Sequence, residues 1–167
     1  MAFGPAIDIP FIVGGFVLMA VYRKRLSSAI LRIGLPAVLL FVLVSIPLII
    51  VEEDIDCMPA WCNHVIVPPT LPFILFEVIV LGALTLLLGV RSLLRVMAAW
   101  CVFGVGWELT VGGLVGAPIL VDVVIGPYVA IGYGYVALLP IQVLLDAKAS
   151  GRPLFGGLDF ISRKSQS

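Results

Sequence analysis

Two glutamates, Glu77 and Glu108, stand out as candidates for chemistry because each interrupts a long apolar run of the sequence. A carboxylate inside a bilayer costs several kcal/mol unless it is protonated, paired or hydrated, so such residues mark functional sites. Each glutamate lies eight residues from one end of its run, 69–90 or 96–116, which corresponds to about 12 Å of helix. On antiparallel neighbouring helices, the two carboxyl groups would lie at one depth. There they can share a proton, bind a cation or act as an acid and base pair.

Four aromatic residues are candidates for lining a pocket beside these acids: Trp100, Trp107, Tyr128 and Tyr135. Trp107 directly precedes Glu108, and the two tyrosines lie about two helical turns apart on the run 124–145. Their faces suit an apolar or cationic ligand. The alternative is a structural role, in which protonated carboxyl groups donate hydrogen bonds across helices and the rings fill the interior.

A second candidate site lies in the polar segment 52–68. There a run of acids is followed by Cys57, Met58, Cys62 and His64. Two cysteines on an oxidising face can form a disulfide, here Cys57 to Cys62. The same thiols, thioether and imidazole are soft ligands that copper favours, although their spacing matches no zinc or haem motif. We expect the acids of this segment to be solvated at the rim. The segment therefore has two alternative interpretations, a disulfide and a metal site.

The composition is typical of a membrane protein. Hydrophobic residues make up 62% of the 167 residues and charged residues only 12%, and the mean hydropathy is +1.22. Soluble domains carry about a quarter of charged residues and just under half of apolar ones. The composition therefore excludes a water-soluble enzyme, a disordered chain, a disulfide-dense secreted module and a nucleic-acid-binding protein.

Five apolar runs are long enough to cross a bilayer as helices, since about 20 helical residues span a hydrocarbon core of roughly 30 Å. These runs are 6–22, 30–51, 69–90, 96–116 and 124–145. All ten basic residues then fall on one side, which the positive-inside rule assigns to the cytoplasm. The sequence thus predicts an all-α bundle of five spans over 1–145 in the cell membrane, with the N-terminus outside. An external loop at 52–68 and a cytoplasmic tail at 146–167 complete it.

Three classes of function fit this architecture. The first is an accessory or scaffolding subunit of a membrane complex, with other membrane subunits or a second copy as its partners. The second is a small transporter of protons, cations or a solute that uses Glu77 and Glu108. The third is a membrane-embedded isomerase or cyclase that acts on a lipid or isoprenoid by acid catalysis. The chain carries no HExxH, GxSxG or phosphate-cradling motif, and the sequence predicts no cofactor.

Overall fold

The computed structural model describes residues 4–56, 71–88, 92–111, 116 and 118–155, and within these ranges the side chains of 4–8, 54–56 and 122 are not described. Over the described residues the chain consists of helices and turns, with no strand. The helices are α1 Gly4–Leu31, α2 Ala37–Asp56, α3 Leu71–Leu87, α4 Leu93–Thr110 and α5 Ile119–Ala149. The prediction of an all-helical protein is confirmed.

Turn and capping residues explain where several helices begin and end. After α1, Gly34 adopts a φ of 82°, a left-handed conformation that glycine tolerates and that stops a helix. Pro36 then precedes α2. The Ser92 side chain accepts a hydrogen bond from the backbone N of Arg95 at 3.4 Å, which satisfies one of the free N–H groups at the start of α4.

The helices differ in length from the apolar runs that predict them. Helix α1 continues through the basic residues to Leu31, and α2 continues through Glu52 and Glu53 to Asp56. Helix α4 ends earlier, at Thr110. An apolar run marks only the part of a helix that suits hydrocarbon, whereas the helix itself propagates for as long as backbone hydrogen bonds and packing support it. As a result, Glu52 and Glu53 belong to a helix and not to a loop.

Helix α5 is the centre of the bundle. It packs against α1, α2 and α4, and α3 contacts α2 and α4 at the periphery. Every residue from 132 to 144 is buried. This all-round burial explains why residues 132–144 are apolar on every face except at Gln142, since no face of this segment has to meet water.

Helices α1 and α5 run in the same direction. Near the middle of both helices, the Tyr135 ring lies against Gly15 so closely that a Cβ atom on Gly15 would be 2.8 Å from it. Further along both helices, Ser27 Oγ donates a hydrogen bond to the backbone O of Gln142 at 3.5 Å. Contacts that follow the same order along two helices make them parallel, as the first and fifth helices of an alternating bundle have to be.

Helix α2 runs opposite to α5. Glu52, near the C-terminal end of α2, lies beside Gly132. At the start of α2, the backbone N of Val38 donates to the backbone O of Leu154, which follows α5, at 3.1 Å. The chain therefore reverses direction between α1 and α2, and again before α5.

Helix α4 also opposes α5, because Trp100 Nε1 donates to the backbone O of Tyr133 while Cys101 Sγ donates to that of Ala130. The alternation collects opposite charges at opposite ends of the bundle. The acidic end carries Glu52 and Glu53. The basic end carries the described cations: Arg23, Lys24, Arg25, Arg32, Arg95, Lys148 and Arg152.

Two helices are long and apolar enough to span a membrane. Among the residues searched, which are the described ones, they are Leu93–Thr110 and Val123–Ala149; Leu71–Leu87 is apolar but one residue shorter than the former. The outer faces of the helices expose large apolar side chains, among them Leu87 at 82% and Leu94 at 78%. Soluble monomers rarely expose large contiguous apolar surface. The fold therefore supports a membrane protein.

A polar network joins α1 to α5 at the basic end. Asp146 Oδ1 accepts hydrogen bonds from Lys24 Nζ at 2.6 Å and from Gln142 Nε2 at 2.9 Å. The Gln142 residue is only 2% exposed, whereas the Lys24 side chain is 68% exposed. The Asp146 carboxylate thus has two partners in different surroundings: the Lys24 ammonium group in solvent and the Gln142 amide inside the protein.

Asp146→Leu should destabilise the fold more than Lys24→Met does. Removing Lys24 breaks an exposed ion pair, which is worth about 1 kcal/mol at most. Removing Asp146 deprives the buried Gln142 amide of its acceptor, which costs about 1–3 kcal/mol. Denaturant titration of the detergent-solubilised protein measures both losses. Asp146→Asn is the matched control, because it removes the charge but keeps an acceptor oxygen; equal losses for all three variants would contradict this account.

Candidate functional site

Acidic residues from three helices converge near the middle of α5. A recess there is lined by side chains from four helices: Glu52, Glu77, Trp100, Tyr133 and Val136. Its volume is about 160 Å³, including space that is open to the surroundings. Glu52 and Glu77 are half-buried. The recess therefore brings together carboxyl groups of α2 and α3 that lie 25 residues apart in the sequence.

Tyr133 connects this recess to Glu108. Tyr133 lies along two turns of α4. Its backbone O accepts a hydrogen bond from Trp100 Nε1 at 3.0 Å, and its side-chain hydroxyl donates to Glu108 Oε1 at 3.4 Å. Between these two points the ring packs directly on Gly104, where any Cβ atom would overlap it. The absence of a side chain at Gly104 thus fixes the path of Tyr133 and the position of its hydroxyl.

A second glycine makes room for Glu52. A Cβ atom on Gly132 would lie 2.8 Å from Glu52 Oε1, closer than real Cβ contacts allow. The carboxylate of Glu52 therefore rests against the backbone of α5, one residue before Tyr133. Glycine at this position permits a polar side chain to reach the centre of a bundle that is otherwise apolar.

The Glu77 carboxyl group interacts electrostatically with two other carboxyl groups near this site. Glu53 and Glu108 lie within electrostatic range of Glu77, and Tyr133 lies within range of Glu52, Glu77 and Glu108. Every described lysine and arginine belongs to the basic end of the bundle. Ionised carboxyl groups that interact inside a protein repel one another strongly, because the dielectric constant there is low. The arrangement consequently favours binding of positive charge, either a proton or a cation.

Glu77 and Glu108 interact electrostatically, but, contrary to the prediction from sequence, they do not lie at equal distances from the ends of their helices. Glu77 lies in the second turn of α3, whereas Glu108 lies in the last turn of α4 because that helix ends at Thr110. Both glutamates are half-buried. Phe76, next to Glu77, packs on Trp107, next to Glu108, with ring centroids 5.3 Å apart.

The aromatic residues divide between packing and the recess. Trp107 stacks with Phe103 and meets Phe76 at a tilted angle, and Tyr135 is buried against Gly15 of α1. Tyr128 is half-buried and packs against the edge of the core. The two aromatic residues that line the recess are Trp100 and Tyr133.

The hypotheses of a disulfide and of a metal site concern residues outside the described part of the structure. Cys57, Met58, Cys62 and His64 are not among the described residues, so the disulfide and the copper site stay predictions. Cys101, the remaining cysteine, is a free thiol. Within the described ranges, no three His, Cys, Asp or Glu side chains are grouped so that they can hold a metal ion.

Sequence reasoning missed two residues of the site, Glu52 and Tyr133, whereas Trp100 was among the candidates for lining a pocket. Glu52 follows the apolar run of α2 directly, and only the continuation of that helix carries it into the recess. Tyr133 is one of three tyrosines on α5, and helical spacing alone does not select it. Gly104, four residues before Glu108, was the available signal, because a glycine on the same face marks where a large ring can pack.

Comparison of the chain with protein-family models, with curated proteins and with solved structures found no match. Function therefore has to be inferred from the residues of the site itself.

Proposed function

We propose that the chain is a multi-pass protein of the cell membrane, with five spans, the N-terminus outside and the C-terminus in the cytoplasm. The alternating helix directions, the apolar outer faces and the collection of cations at one end support this orientation. With this orientation the acidic end faces outward. Glu53, which is exposed, lies at that end within electrostatic range of Glu77.

We propose further that the protein is a small transporter in which Glu77 and Glu108 take up and release protons. The single observation that carries this proposal is that Glu52 and Glu77 line one recess with Tyr133, whose hydroxyl donates to Glu108. Buried carboxyl groups are costly in a bilayer, and a bundle needs no such group to stay folded. Their collection from three helices around one hydroxyl is typical of a proton relay.

The size of the recess favours a proton over a larger ligand. The recess has essentially no space that a water-sized sphere can enter, whereas pockets that bind small organic molecules measure roughly 300–1,000 Å³. An isoprenoid or sterol therefore does not fit between these carboxyl groups. A proton needs no volume. Tyr133 Oη lies 3.4 Å from Glu108 Oε1, and a proton can pass between them when the two oxygens approach to about 2.5–3.0 Å.

An accessory or scaffolding subunit is the second candidate. The observation in its favour is the dense packing at the same place, where Tyr133 lies on Gly104 and hydrogen-bonds across to Glu108. In that role the acid residues only link α4 and α5, and the partners are other membrane subunits. Purification from native membranes with a co-purifying partner in fixed ratio would favour it.

Reconstituted vesicles provide the test of the transporter. We expect vesicles that contain the full-length protein and a trapped pH-sensitive dye to acidify when a membrane potential, negative inside, is applied. Vesicles without protein, and vesicles with Thr85→Val, serve as controls for leak and for a neutral change; Thr85 is buried on α3 but only bonds its own helix, at Leu81 O. Acidification equal to that of empty vesicles would contradict the proposal.

A further inference from the structure

The basic end of the bundle forms a surface that the proton site does not use. Besides Lys24, four of its cations are exposed at or just beyond the ends of α1 and α5: Arg25, Arg32, Lys148 and Arg152. In the described part of the chain the one ion pair is Lys24 with Asp146, which leaves no described acid for these four. The surface therefore has a strong positive field.

The fold itself assembles this surface from distant parts of the sequence. Gly151, with a φ of 69°, turns the chain after α5, and the backbone N of Arg152 donates to Ala147 O at 2.9 Å. The Arg152 side chain then reaches α1, where Nη1 donates to Leu31 O at 2.5 Å. Arg152 thereby caps α1 at Leu31, the residue before Arg32. The fold thus brings two arginines from distant parts of the sequence to the same end of one helix.

Large apolar side chains are exposed between these cations. They are Leu26 at 37%, Ile33 at 64%, Leu35 at 38% and Phe155 at 46%. A soluble phosphate or nucleotide provides charge but nothing to cover such residues. A lipid with an anionic headgroup provides both a phosphate for the guanidinium groups and acyl chains for the apolar side chains.

We propose that Arg32, Lys148 and Arg152 form a binding site for the phosphate headgroup of an anionic lipid, with its chains along Leu26 and Ile33. Arginine offers paired N–H donors that match phosphate oxygens, and lysine adds a point charge. This inference rests on the proposed position in a bilayer, but not on proton binding at Glu77 and Glu108. The site would retain lipid of the cytoplasmic leaflet at the junction of α1 and α5.

The test is native mass spectrometry of the full-length protein after exchange into mixed phosphatidylglycerol and phosphatidylcholine. We expect selective retention of phosphatidylglycerol, and the double variant Arg32→Gln/Lys148→Gln should weaken it by about fivefold for each cation removed. Arg152 is left unchanged because it caps α1. The matched control is Arg95→Gln, which removes a charge at the same end of the bundle but on α4. It should change retention less than Arg32→Gln alone or Lys148→Gln alone.

Two further measurements complete the test. Retention by the unaltered protein should fall as salt is raised, because exposed charges are screened; this result does not depend on how any variant folds. Excess inorganic phosphate should not displace the lipid, and displacement would overturn the assignment to a lipid. Equal retention of the two lipids, or unchanged retention in the double variant, would overturn the proposal even if proton uptake were confirmed. Selective retention without proton uptake would overturn only the transporter.

Discussion

Gly104→Ala should destabilise the bundle by about 1–3 kcal/mol, the usual cost of forcing additional atoms into a packed core. The added Cβ atom would overlap the Tyr133 ring near its root, where the ring cannot swing away without moving α5. The displacement would also lengthen the hydrogen bonds from Trp100 Nε1 and to Glu108 Oε1. Unfolding in a denaturing detergent, followed by tryptophan fluorescence, measures the loss.

Gly106→Ala is the matched control for this prediction. It lies on the same helix, two residues further along, and a Cβ atom there meets nothing within 4 Å. Alanine is favoured over glycine inside a helix by up to about 1 kcal/mol, so this variant should be neutral or slightly more stable. If the two alanine variants unfold alike, then Gly104 does not position Tyr133, and the geometry of the site is wrong.

Glu77→Gln should abolish proton uptake in the reconstituted vesicles. Glutamine fills nearly the same volume and keeps the polar contacts, but it does not exchange a proton at any accessible pH. A positioned acid or base commonly contributes 10²–10⁴ in rate to proton transfer, so we expect flux to fall by roughly a hundredfold, to the level of leak. Glu108→Gln should reduce flux as well while its amide oxygen still accepts from the Tyr133 hydroxyl.

The same substitution separates the two candidate functions. For an accessory subunit, Glu77→Gln leaves function near normal and only changes stability modestly. Glu77→Asp is a useful intermediate, because it keeps a carboxyl group but shortens the side chain by one methylene. Partial flux in Glu77→Asp together with no flux in Glu77→Gln supports proton exchange at this position. Normal flux in Glu77→Gln would remove Glu77 from the pathway.

The helical architecture was predictable because apolar runs of about 20 residues permit little besides helices. The distances of Glu77 and Glu108 from polar breaks predict similar depths for the two residues, but they do not predict that the residues are adjacent. These distances fix the height of a residue along a helix, but not the face of the helix on which it lies. On α5 the residues 132–144 are buried on every side, so hydropathy carries no information about which tyrosine meets Glu108.

Glu52 illustrates the other limit of sequence reasoning. An acid that follows an apolar run normally belongs to the solvated rim, and composition gives no reason to place it inside. Its position depends on the continuation of α2 to Asp56 and on Gly132 of α5. The network of Lys24, Gln142 and Asp146 was hidden for the same reason, since it depends on the parallel contact of α1 with α5. Such sites arise from helix packing, which spacing within one helix does not specify.

The central claim is that Glu77 and Glu108 exchange protons inside the bundle, and pH-difference infrared spectroscopy of the reconstituted protein tests it most directly. A carboxylic C=O stretch is visible only when a carboxyl group is protonated. We predict a C=O band that changes with pH in the unaltered protein and in Thr85→Val, and that is lost or shifted in Glu77→Gln. A difference spectrum that is the same with and without the Glu77 carboxyl group would contradict the account.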